Sequence, residues 1–175
     1  MLPISKLVLA TAGFVAITLP TLPLLSAPRQ IDTQAQNTIL QTHNQYREEV
    51  GVSPLEWSQE LAASAKKWAE HLAEIDTMEH SESNGEYGEN IWSGTKGYFS
   101  WEDMVDAWGE EKQYFIPNRA IPNACEGSWQ KCGHYTQLIW QDTQEVGCGL
   151  ASNDQREFLV CQYNPPGNFQ GEQPY

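Results

Sequence analysis

The chain has 175 residues, 40% of them hydrophobic and 11% aromatic, which suits one domain with a packed core and is too short for two of ordinary size. Ten basic residues against 23 acidic ones give a net charge of −13, a balance that opposes nucleic-acid backbones and anionic lipid surfaces. Nucleic acid is thereby excluded as a partner, and the acidic surface favours a soluble monomer.

Met1 to Ala27 has the layout of a secretory signal peptide: Lys6, an apolar stretch from Leu7 to Leu25, then the small Ser26 and Ala27. Pro28 is a poor residue to follow a cut, so cleavage falls after Ala27 or later, for example after Ala35. Pro20 and Pro23 interrupt the apolar stretch before it reaches the roughly 20 residues a spanning helix needs, which favours export over an uncleaved membrane anchor. The expected location is extracellular, or periplasmic in a bacterium. Residues 28–36 read as a polar linker and 37–175 as the domain.

Ile39, His43, Tyr46 and Val50 fall at helical spacing before Gly51 and predict a first helix. Ser58 caps a second with the stripe Leu61, Ala65, Trp68, Ala69 and Leu72. The stretch from Asp76 to Lys96, broken by Gly85, Gly88 and Gly94, reads as loop. Ser100 and Asp103 make a capping box for a third helix, on whose apolar stripe Glu111 falls seven residues after Met104. A carboxylate so placed needs a partner to offset its desolvation, which marks Glu111, and not Glu110, as a site candidate.

Two alternating segments, Glu145 to Ala151 and Glu157 to Tyr163, flank Asn153-Asp154-Gln155-Arg156 and predict a hairpin. Centring its turn sets Val146 opposite Tyr163, Cys148 opposite Cys161 and Leu150 opposite Leu159. Four cysteines behind an export signal predict disulfides, and the hairpin register pairs Cys148 with Cys161, leaving Cys125 with Cys132. A zinc site of cysteines is disfavoured because no Cys-x-x-Cys occurs.

Four segments, in order, carry a resemblance: His43-Asn44-x-x-Arg47; His80-Ser81 with Gly88-Glu89-Asn90-Ile91-Trp92; Gly133-His134-Tyr135-Thr136-Gln137-Leu138-Ile139-Trp140; and Phe158-Leu159-Val160-Cys161-Gln162-Tyr163-Asn164-Pro165-Pro166-Gly167-Asn168-Phe169. They are similar to the CAP superfamily, the group of plant pathogenesis-related class-one proteins, antigen-5 proteins and cysteine-rich secretory proteins. The resemblance implies an α+β fold, a three-layer α-β-α sandwich around a central antiparallel sheet. It also implies a cleft with His80, Glu89, Glu111 and His134, lined further by Asn90, Tyr135 and Gln137. Plant members carry six cysteines, and the two absent here would fall near Asp76 and Asn153.

Two imidazoles can ligate Zn2+ or another divalent cation, with the glutamates as ligands or as partners that orient the histidines. The alternative is a buried hydrogen-bond network that only shapes the cleft. The favoured function is a non-enzymatic extracellular binding module for a sterol, a fatty acid or a receptor, with Tyr98-Phe99 and Phe115-Ile116 as candidate walls of an apolar groove. Two alternatives stand beside it: a metal-dependent hydrolase in which Glu89 or Glu111 activates water, and a precursor of a C-terminal signalling peptide starting at Pro165, which the tail Pro165 to Tyr175 resembles.

Overall fold

Helix α1, Thr33–Glu49, opens on Asp32, whose Oδ1 accepts the Ala35 N–H at 2.8 Å. A computed structural model describes residues 29–175; the predicted signal peptide lies outside the described residues. The capping carboxylate draws Thr33 to Gln36 into the helix, although their lack of periodicity reads as linker. Ile39, His43 and Tyr46 are buried as their spacing predicts, and Gly51 follows at φ 75°. Helix α2, Gln59–Ile75, is capped by Ser58. Helix α3, Trp101–Gly109, starts with the full Ser100–Asp103 capping box. It runs into a 3-10 turn, Glu110–Tyr114, so Glu111 sits just beyond the helix whose stripe predicted it. A second 3-10 turn, Trp129–Lys131, precedes the six-residue helix α4, Gly133–Leu138.

Strands β1 (Glu56–Trp57), β2 (Gly88–Thr95), β3 (Glu145–Ser152) and β4 (Arg156–Asn164) form one sheet in the order β1-β3-β4-β2. The β3–β4 hairpin has the expected register, with Cys148 opposite Cys161 and Val146 opposite Tyr163. Disulfides join Cys148 to Cys161 and Cys125 to Cys132. Two features differ from the sequence reading. The glycine-broken stretch contains β2, antiparallel to β4 along its whole length, because pairing with a buried strand outweighs weak local propensity. The sheet is mixed, since the two-residue β1 runs parallel to β3 and is too short to show a period.

Alternation along β4 divides the core. Leu159, Cys161 and Tyr163 pack with α1, α3 and α4 on one face, while Phe158 and Val160 meet Ala65, Ala69 and Leu72 of α2 on the other. The result is the α-β-α sandwich. Helix α2 lies unusually close to β3: a Cβ at Gly147 would come within 2.2 Å of the Ala62 nitrogen, and one at Gly149 within 2.2 Å of the Lys66 Cα.

The two helical ends of one layer are tied together by Arg47. It is fully buried, and its guanidinium donates to four main-chain carbonyls: Ser53 (2.7 Å) and Leu138, Trp140 and Thr143 (2.9 Å each). Burial lowers its pKa to about 10, which leaves it protonated at neutral pH. The positive charge thus sits at the C-terminal end of α4, where the helix dipole favours it. Replacing Arg47 with Met strands these carbonyls and is expected to cost at least about 3 kcal/mol. Thermal unfolding followed by circular dichroism should show a Tm lower by roughly 6–12 °C.

Candidate functional site

The site lies along β2, one of the two edge strands, where the two faces of the sheet meet. Glu89 points to the α2 side, where Gln162 Nε2 donates to its Oε2 at 3.2 Å. Its Oε1 accepts from His80 Nδ1 and from the Ser81 N–H, each at 2.9 Å, and Ser81 Oγ donates to Oε2 at 2.7 Å. On the other side, Glu111 reaches the start of α4. Its Oε1 takes His134 Nδ1 at 2.6 Å, and its Oε2 takes the N–H groups of His134 (3.0 Å) and Tyr135 (3.2 Å). Glu111 therefore caps α4 as well as orienting its histidine. Trp108 stacks on the same imidazole, with ring centroids 6.3 Å apart.

The sequence-predicted residues thus form two carboxylate–histidine pairs and not one closed network. The glutamate side chains are the buried members, at 6% and 18% exposure, whereas those of His80 and His134 are 64% and 35% exposed. His80, Glu89 and His134 border a cleft of about 210 Å³, lined also by Asn90, Trp129, Gln130, Gly133 and Asn168, while Glu111 stands behind His134 and outside the lining. A larger hollow of about 290 Å³ between α2 and β3 contains no such pair. Among the described residues, no three His, Cys, Asp or Glu side chains converge as ligands of one ion.

Tyr135 and Gln137 are both buried and take no part in the cleft lining. One and three positions after His134, they project from other sides of α4. Tyr135 packs edge-on against Tyr46 and Phe115. Gln137 Oε1 accepts the Gly167 N–H at 3.0 Å. Of the residues suggested for an apolar groove, Phe99 lies edge-on to Trp92, Phe115 meets Tyr135 and Tyr175, and Tyr98 is exposed.

Sequence reasoning missed Trp129 and Asn168. Asn168 belongs to the tail, and its amide spans α4: Oδ1 accepts from Thr136 Oγ1 at 2.8 Å and Nδ2 donates to the Gly133 carbonyl at 2.9 Å. Beyond it, the Gly171 N–H donates to the Ile121 carbonyl, the Ile121 N–H to Glu172, and the Gln141 N–H to Pro174. The signal for Asn168 was its place in the fourth resemblance segment.

The profile of the CAP family, described as the cysteine-rich secretory protein family, matches residues 40–163. The chain belongs to the CAP family. It is 39% identical to pathogenesis-related protein 1A of Nicotiana tabacum over 142 residues, covering 81% of each chain. Identity to pathogenesis-related protein PR-1 of Medicago truncatula is also 39%, over 80% of this chain and 79% of the relative. In fold it is similar to NaASP2, whose crystal structure is described as holding Zn2+: the TM-score is 0.70 at 23% identity, over 82% of this chain and 86% of that one. Schistosoma mansoni venom allergen-like protein 4 has a TM-score of 0.63 at 23% identity, over 82% and 95% of the two chains. Asp76 and Asn153, near which the resemblance implies a third bridge in plant members, are joined here by a hydrogen bond from Asn153 Nδ2 to Asp76 Oδ1 at 2.8 Å.

Two buried groups of this CAP domain couple its stability to acid. Burial lowers the His43 pKa from 6.5 to about 4. For Glu89, burial works to raise the carboxyl, but the hydrogen bonds from His80, Ser81 and Gln162 outweigh it and hold the group below its ordinary 4.5. Between pH 6.5 and 4 the unfolded chain binds a proton at His43 that the folded chain does not, so stability falls as pH falls. The loss from His43 is on the order of 3 kcal/mol when complete. Below about pH 4.5 Glu89 adds a loss of the same sign. Denaturant midpoints at stepped pH should decline from pH 6.5 downward, and His43→Gln should flatten the upper part of that decline.

Proposed function

We propose that the chain is a secreted CAP-type binding protein whose cleft holds a divalent cation, with zinc the first candidate, on Nε2 of His80 and Nε2 of His134. The observation that carries this is the use of Nδ1: each imidazole gives that nitrogen to a carboxylate, at 2.9 Å for His80 and 2.6 Å for His134. A neutral imidazole so bound keeps a lone pair on Nε2, and a histidine backed by a carboxylate is the usual form of a zinc ligand. The donor set fits a two-histidine ion whose remaining positions are filled by water or by the ligand. The bound ion would supply a positive charge at the mouth of an otherwise acidic protein, an anchor for an anionic or carbonyl group.

Binding is favoured over hydrolysis by the state of the glutamates. Every carboxylate oxygen of Glu89 and Glu111 already accepts at least one hydrogen bond, and Glu89 is held below the ordinary carboxylate range, so neither is poised to take a proton from water. The tail likewise supports a binding role over a released peptide, because Asn168 forms part of the cleft wall and Pro165 accepts from Thr143 Oγ1 at 3.0 Å.

Isothermal titration with ZnCl2 should give one site per chain. His134→Ala is expected to abolish it, and Glu111→Gln to weaken it about 10- to 100-fold. Wild-type affinity in His134→Ala would remove the histidines from the site.

A further inference from the structure

Asn90 sits beside the two histidines with only 1% of its surface exposed, and a chain of hydrogen bonds running into the core fixes which end of its amide meets the cleft. The chain starts at the Ile39 carbonyl, which only accepts, so His43 Nδ1 is the donor at 2.8 Å and His43 Nε2 is the acceptor. The Tyr163 hydroxyl therefore donates to that Nε2 at 3.0 Å. With its hydrogen spent, the Tyr163 oxygen accepts from Asn90 Nδ2 at 3.2 Å. The second hydrogen on Nδ2 goes to the His134 carbonyl at 3.1 Å. Both donors of the amide are committed inward, and Oδ1 has no hydrogen-bond partner among the described residues and is not sealed off from the cleft.

We infer that Asn90 is a positioning residue of the cation site, its Oδ1 accepting a hydrogen bond from a water in the shell of the ion. The inference rests on the reading of His80 and His134 as ligands. An ion on two histidines retains water, and a metal-bound water is a strong donor that needs an acceptor. Glu89 and Glu111 already hold the imidazoles; of the acceptors left in the wall, Oδ1 of Asn90 is held by a buried residue, whereas Gln130 is an exposed side chain.

The test is zinc titration calorimetry on the wild type, Asn90→Ala and Asn90→Ser, with His134→Ala as reference and circular dichroism to establish that each variant is folded. Both Asn90 variants should bind zinc about 10- to 100-fold more weakly. Unchanged affinity in either folded variant would overturn the inference while leaving the histidine site standing. No zinc uptake by the wild type would sink both.

A separate observation bears on the removal of the leader. Arg29 donates to the Phe99 carbonyl at 2.7 Å, lies 3.8 Å from the Trp101 ring centroid, and pairs at 3.3 Å with Glu157, whose side chain is 1% exposed. It is the one cation paired with Glu157 among the described residues. Three residues on, Asp32 caps α1. A cut after Ala35 would remove both and leave Glu157 buried without its counter-charge. The geometry points to cleavage of the leader at or before the Pro28–Arg29 bond. Intact mass and amino-terminal sequencing of the secreted full-length product should find Arg29 retained and the apolar stretch gone. A chain beginning at Gln36 would overturn this, as would one still beginning at Met1.

Discussion

Helix α4 is six residues long, too short to persist on its own, yet it carries His134 and borders the cleft. Its stability comes from charged side chains placed at opposite ends. Glu111 accepts the amides of the first turn, and Arg47 donates to the carbonyls of Leu138 and Trp140 at the other end. Each charge has the sign that the helix dipole favours, and each arrives from a distant element, Arg47 from α1 and Glu111 from the turn after α3. The packing of the whole α1-α3-α4 layer therefore fixes the direction of one imidazole.

The two carboxylate–histidine pairs reach the cleft from different layers. His80 and Glu89 belong to the α2 side of the sheet, His134 and Glu111 to the opposite side, and β2 supplies both Glu89 and Asn90 by simple alternation. At the sheet edge, neighbouring residues of one strand that point to opposite faces serve a single cavity. The carboxylates lie inward and the imidazoles outward, an order that orients the nitrogens while keeping the negative charge away from solvent.

Much of this was legible in the sequence. Helices α2 and α3 announced themselves by Ser58 and by the Ser100–Asp103 box, and the hairpin register followed from the alternation around Asn153 to Arg156. The position of Glu111 on an apolar stripe marked it although the helix ends before it, because a 3-10 turn keeps nearly the same direction for another residue or two. What escaped notice depends on contacts distant in sequence. Strand β2 exists because β4 is there to pair with it, and Tyr135 and Gln137 turn away from the cleft because α4 is helical. Asn168 acquires its role only when the tail folds back over Gly133 and Thr136.

That return of the tail divides the cleft wall by reach along the chain. His80 and Asn168 stand far apart in sequence and border the same hollow. Asn168 keeps its place through two side-chain hydrogen bonds, to Thr136 and to the Gly133 carbonyl. One side of the cleft is thus set by contacts outside both apolar clusters, so the tail can reshape the hollow while the packing of the sandwich stays as it is.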